Sequence, residues 1–211
     1  MRSIFAFCLI WSIASLCAAA PTNQTLYVVG SNPGGGPYKG SLSINTVGNV
    51  SRMTWQVGST STGLGVWLGD TLAVAVGGDE CAVVGYEINP EGGLDGIWAA
   101  PGATAAGREQ ATPGVGTTRG LAGDYVINGT NPEGERYRGA LSVFKEADHW
   151  RFSWRTGTNF EGYGIERNGR IAVAWGAATC GVVLYDVDAN GNLDGIWKYR
   201  DTAEGTETAR R

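Results

Sequence analysis

The sequence predicts an all-β protein of two tandem homologous units, each an antiparallel meander of about eight short strands forming a small up-and-down barrel or curled sheet. Three observations predict this. The pentapeptide Leu94-Asp95-Gly96-Ile97-Trp98 returns unchanged as Leu193-Asp194-Gly195-Ile196-Trp197. Aligning residues 30–98 with 129–197 at that offset gives 27 identities in 69 gapless positions, which marks an internal duplication. Within each unit, alternating segments recur roughly every eight to twelve residues between turn residues, the pattern of a strand meander. One barrel or sandwich shared by both units is the alternative architecture.

At the start of the chain, Met1-Arg2-Ser3 precedes an apolar run from Ile4 to Leu16 and then Cys17-Ala18-Ala19-Ala20. This is the order of a positive n-region, an h-region and a small-residue cleavage site. The run is shorter than the roughly 20 residues that a membrane-spanning helix needs. Residues 1–20 are therefore expected to be a signal peptide, the mature protein to be secreted or periplasmic, and no transmembrane segment to remain after cleavage. Repeat unit 1 follows at 21–112, a linker at 113–122 and repeat unit 2 at 123–211. Loss of Arg2 with the signal leaves 15 of 16 basic residues against 20 acidic ones. That balance, with no basic patch of interleaved aromatics, points away from nucleic acid.

Strands are expected near 25–30, 38–44, 51–57, 63–68, 71–77, 81–88, 94–99 and 106–112 in unit 1. In unit 2 they are expected near 123–128, 137–143, 150–156, 162–167, 170–176, 180–187, 193–199 and 204–210. Because successive strand side chains point to opposite faces, Met53, Trp55 and Val57 oppose Arg52, Thr54 and Gln56, with the tryptophan inward. Phe152 and Trp154 repeat the pattern. Val84 and Tyr86, with Val183 and Tyr185, form the more apolar face of their strands, which places Cys81 and Cys180 on the outer face. Glycines within strands, Gly63, Gly65, Gly162 and Gly164, are expected to mark bends or bulges.

Cys8 and Cys17 leave with the signal, while Cys81 and Cys180 occupy equivalent repeat positions. In an exported protein that equivalence suggests an inter-unit disulfide; the other reading is two small buried strand residues. Zinc or redox chemistry has no Cys-x-x-Cys motif or Cys and His cluster to rest on.

Few residues point to chemistry. Asp186 to Asp194 resembles the front of an EF-hand calcium loop. Trp197 stands where a bidentate glutamate belongs, and a hairpin turn explains Asn190-Gly191, so no metal is expected. The sole histidine, His149, lies in a turn beside Trp150, and unit 1 has Val50 there. Asp95 with Glu109, and Asp194 with Glu207, are carboxylate pairs that acid and base catalysis would use if they met; no catalytic residue is assigned. Tyr38 and Tyr137, Trp55 and Trp154, and Trp98 and Trp197 are expected to fill the barrel cores, with a cavity lining as the alternative. The unshared Trp67, Trp150 and Trp175 would anchor a partner if exposed. Asn-x-Ser/Thr sequons begin at Asn23, Asn49 and Asn128.

The repeated elements are Gly-x-Asn-Pro, Tyr-x-Gly-x-Leu, a tryptophan, Gly-x-Gly, Ala-Val-Ala, Val-Val-x-Tyr and Leu-Asp-Gly-Ile-Trp. Their pattern resembles that of small exported bacterial β-repeat proteins, some loosely labelled fibronectin-binding, and covers nearly all of the mature chain. The resemblance implies an adhesion or matrix-binding role and brings no active-site residue with it.

The expected function is an exported, non-enzymatic binding or surface-interaction module without a cofactor, whose partner is a protein, glycan or small molecule. Two alternatives stay open, a small-ligand carrier using the barrel interior and an extracytoplasmic hydrolase or lyase. The carrier requires an aromatic-lined cavity. The surface module requires filled barrels with exposed unshared tryptophans, and the enzyme His149 or a carboxylate pair inside a cleft.

Overall fold

A computed structural model describes residues 23–114 and 120–211. The expected signal peptide at 1–20 lies outside the described residues. From unit 1 come β1 (Asn23–Ser31), β2 (Pro37–Val47), β3 (Val50–Val57), β4 (Ser59–Leu68), β5 (Thr71–Val76), β6 (Cys81–Ile88), β7 (Leu94–Ala99) and β8 (Gly107–Pro113). Unit 2 provides β9 (Gly123–Thr130), β10 (Arg136–Glu146), β11 (His149–Arg155), β12 (Asn159–Arg167), β13 (Arg170–Gly176), β14 (Gly181–Val187), β15 (Leu193–Tyr199) and β16 (Gly205–Arg210). Each expected strand has its counterpart, and no helix is present among the described residues.

The strands close two eight-stranded antiparallel barrels, but the barrels do not follow the repeat boundaries. A split barrel runs β1-β16-β15-β14-β5-β4-β3-β2, and an inserted barrel consists of β6 to β13. Had each unit closed on itself, β5 would pair with β6. Instead β5 pairs with β14, the repeat equivalent of β6, and β13, the equivalent of β5, pairs with β6. The exchanged ladders keep the same register, Val74 opposite Val183 and Val173 opposite Val84. Three strands are thus swapped within one chain, a low-cost exchange because equivalent strands offer equivalent edges. Residues 113–122, expected as the linker between units, join β8 of unit 1 to β9 of unit 2, which are neighbours in the inserted barrel.

The exchange explains the Ala-Val-Ala motif. Val74 and Val173 point into their own barrels, whereas Ala73, Ala75, Ala172 and Ala174 join Val66, Val83, Ile165, Val182 and Leu184 in a core between the barrels. The small alanines let two sheets approach closely. At the crossings, Gly77 and Gly176 take φ of 137° and 119°, angles that favour glycine. A Cβ on Gly176 would also meet the Glu80 carbonyl oxygen at 2.0 Å. Cys81 and Cys180 form a disulfide beside both crossings, with Cα atoms 5.6 Å apart and each residue 1% exposed. It clamps the two points where the chain changes barrel.

The strand glycines have a different role from the one expected. The β3–β4 ladder runs unbroken through Gly63 and Gly65, and β11–β12 through Gly162 and Gly164. A Cβ on Gly63 would lie 2.9 Å from the Trp55 ring, and one on Gly162 would lie 3.1 Å from Trp154. They are gaps in the wall that admit large core side chains, not bulges.

Candidate functional site

In each barrel three aromatic side chains lie against glycines directly opposite on a neighbouring strand. Tyr137 faces Gly129, Trp98 faces Gly107 and Tyr86 faces Gly96 in the inserted barrel. Tyr38 faces Gly30, Trp197 faces Gly205 and Tyr185 faces Gly195 in the split barrel. Rings cover these glycines so closely that a Cβ would collide at 2.2–2.4 Å in all six cases. The glycine of Leu-Asp-Gly-Ile-Trp is therefore the seat of Tyr86 or Tyr185, and its tryptophan needs the glycine two residues before Glu109 or Glu207.

These aromatics converge on the glutamate. Both Glu109 and Glu207 are 5% exposed. Glu109 Oε1 accepts hydrogen bonds from the Tyr86 hydroxyl at 2.5 Å and the Trp154 indole N–H at 3.1 Å, and Oε2 accepts one from Tyr137 at 2.8 Å. Glu207 repeats the arrangement. Its Oε1 accepts from Tyr185 and from Trp55 at 2.9 Å, and its Oε2 accepts from Tyr38 at 2.8 Å. Three donors around one carboxylate suit a group that only accepts. Neither glutamate has an ion-pair partner among the described residues. Burial first, and then the charge of Glu109, raise the phenols of Tyr86 and Tyr137 above their ordinary range. Burial and Glu207 do the same for Tyr185 and Tyr38. The phenols stay neutral donors throughout the physiological range.

Each network stands in the wall of a cavity inside its barrel. The inserted-barrel cavity, about 290 Å3, is bounded by Tyr86, Trp98, Tyr137, Trp154, Phe160 and Trp175, with Glu109 among them. Trp175 stands 6.3 Å from Trp98 and 6.0 Å from Trp154, centroid to centroid, so the three indoles form a continuous wall. Below, Phe152 stacks on both Trp154 and Tyr86 as a floor. The cavity meets solvent beside Phe160, which is 41% exposed. The split-barrel cavity, about 230 Å3, is bounded by Tyr38, Trp55, Trp197 and Tyr199 with Glu207. The repeated aromatics, expected as core, are thus divided: Trp55 and Trp154 are buried, and every one of them also borders a cavity.

The remaining candidates fall elsewhere. Asp95 and Glu109 project from opposite sheet faces, because Gly96 and not Asp95 is the register partner of Glu109; Asp194 and Glu207 are separated likewise. His149 packs edge-on against Tyr163, with Glu146 and Asp148 each 3.6 Å away. In the calcium-like loop, Asp188 accepts from the backbone N–H groups of Asn190 and Asn192, while Asp186 and Asp194 both pair with Arg167. The loop is a self-capped turn. Of the unshared tryptophans, Trp67 is 5% exposed and donates to Ser51, and Trp175 lines the cavity. Glu109 and Glu207 had appeared in the sequence only as members of carboxylate pairs. Their recurrence at matched positions, in strands where alternation points them inward, was the available signal.

The chain matches no protein-family model, no curated protein and no solved structure.

Proposed function

We propose that this is an exported, non-enzymatic protein that binds small organic molecules in its barrel mouths, a carrier or receptor. The observation that supports it best is the duplicated cavity: aromatic walls, a solvent opening and a buried glutamate held identically in both barrels. Binding sites are commonly concave and mostly apolar, with a few placed polar groups. A secreted or periplasmic location agrees with the buried Cys81–Cys180 disulfide and with the n-region, h-region and cleavage pattern at 1–20. Hydrolysis finds less support, since His149 lines neither cavity and each cavity holds only one member of its carboxylate pair, Glu109 without Asp95 and Glu207 without Asp194.

The test is intrinsic tryptophan fluorescence and thermal denaturation of the mature protein against a panel of small charged and uncharged organic molecules. Saturable fluorescence change with raised Tm, abolished by filling the inserted cavity with Ala100→Trp, is the expected result. A panel that leaves both signals unchanged would sink the carrier reading.

A further inference from the structure

We infer that the inserted-barrel cavity takes a quaternary ammonium group, recognised by aromatic faces and by the charge of Glu109. This deepens the binding function proposed above and rests on it.

Three features select this chemistry. The first is the wall: three indoles, two phenols and Phe160 surround one space, and cations are attracted to aromatic faces, most strongly to tryptophan. The second is an unpaired charge. Glu109 borders the cavity, is buried, and has only phenol and indole donors for company. Among the lining residues there is no lysine or arginine. Arg108, Arg136 and Arg138 line a second space, which Glu109 and Tyr137 also border, but strand alternation turns the arginine side chains to the sheet face opposite those of Glu109 and Tyr137.

The third feature decides which cation. Two donors already occupy Glu109 Oε1 and one occupies Oε2. A primary ammonium brings three donors that each need an acceptor once they leave water, and the cavity offers about one free site on this carboxylate. A fully alkylated ammonium has no N–H to satisfy. It needs only a nearby negative charge and apolar or aromatic contact, which make up this cavity apart from Asn131, whose side chain is tied to Glu135, and Thr156.

The split barrel is the built-in counterexample. There Ser61 and Val76 replace Phe160 and Trp175, leaving a thinner aromatic wall. Lys198, which replaces Ala99, does not change that wall: its side chain leaves from the strand face opposite to that of Trp197 and Tyr199, and its ammonium is held by Asp148 of the other barrel at 2.7 Å. The cation should therefore enter the inserted barrel alone.

The experiment uses the mature, oxidised protein and titration calorimetry with three probes: choline, its uncharged isostere 3,3-dimethylbutan-1-ol, and ethanolamine. Expected is one choline site per chain, with both other probes at least about tenfold weaker. Glu109→Gln and Trp175→Val should each bring choline close to its isostere, while Glu91→Gln, at an exposed turn position outside both cavities, leaves it unchanged; circular dichroism checks that each variant is folded. An isostere that binds as well as choline overturns the cation inference while leaving the carrier reading intact. Silence of all three probes, together with silence across the wider panel, overturns both. Co-sedimentation with phosphatidylcholine vesicles, reversed by free choline, would assign the group to a lipid headgroup. Choline binding without co-sedimentation would assign it to a free solute.

Discussion

The two barrel mouths share one frame and differ in what covers it. Glu109 and Glu207 each hold two tyrosines and one tryptophan through the same atoms. Around them, Phe160, Trp175 and Ala100 in one mouth stand where the other has Ser61, Val76 and Tyr199. The frame admits little change because its members satisfy one another in a buried place, and losing any of them strands a polar atom. Lining residues have no such obligations and can diverge between two copies of one fold. Even the packing residues show this freedom. Trp67 on β4 donates to Ser51 in the split barrel, whereas the inserted barrel has Glu166 and Trp150 at these positions, the tryptophan having moved one strand over.

If the frame is a shared structural device, removing its acceptor should damage both barrels alike. Glu109→Leu and Glu207→Leu each leave two phenols and an indole N–H without their acceptor, and each should lose about 2–4 kcal/mol in urea unfolding. One variant near neutral and the other severe would break the equivalence. The clamp should also serve both barrels. A disulfide closing 99 residues of sequence is worth about 2–5 kcal/mol, so the Cys81→Ala and Cys180→Ala double variant should lower the stability of both barrels together. Cutting the chain between 115 and 119 sharpens the point, since each barrel uses strands from both fragments. After reduction the two pieces should still co-elute under native conditions. Separation on reduction alone would show that the strands are not exchanged.

A smaller effect shared by both frames appears at alkaline pH. The phenols of Tyr38, Tyr86, Tyr137 and Tyr185 are raised by burial and then by their glutamate. A raised folded-state value means that their contribution is intact below the unfolded phenol range near 10 and is lost as pH rises beyond it. Absorbance titration at 295 nm should show these tyrosines ionising together with alkaline unfolding. Their titration in a still-folded protein would mean that the frames are open to water.

Much of this fold is legible in the amino-acid sequence alone. Period-two alternation and turn residues place all sixteen strands within a few residues, and the inward direction of Trp55 and Trp154 follows from parity alone. Strand exchange was not legible, because a ladder between β5 and β6 and one between β5 and β14 use the same residue pattern: Val84 and Val183 are interchangeable partners for Val74. Only the two short crossings, between β5 and β6 and between β13 and β14, and the glycine that opens each, Gly77 and Gly176, record the choice. The glycines at 63, 65, 96 and 107 were equally ambiguous, since a missing side chain marks a bulge or a seat for a neighbour's ring in the same way. What sequence spacing could not supply was the direction of Asp95 relative to Glu109, which requires the register. Once Glu109 is paired with Gly96, alternation sends Asp95 outward and leaves the glutamate alone with its aromatic donors.

The finest test of the comparison moves lining from one mouth to the other. Ser61→Phe with Val76→Trp gives the split barrel the two aromatic residues it lacks. Both positions are partly exposed, so stability should shift by no more than about 1 kcal/mol. If lining alone sets selectivity, choline stoichiometry should rise from one toward two per chain, with the second site weaker because Tyr199 remains where the inserted mouth has Ala100. A stoichiometry fixed at one, in a variant whose Tm matches the parent, would place the decisive difference in the space that Tyr199 fills instead. Adding Tyr199→Ala to the same variant then separates free space from aromatic surface, and the two mouths become a matched pair in which each contribution is read on an unchanged glutamate frame.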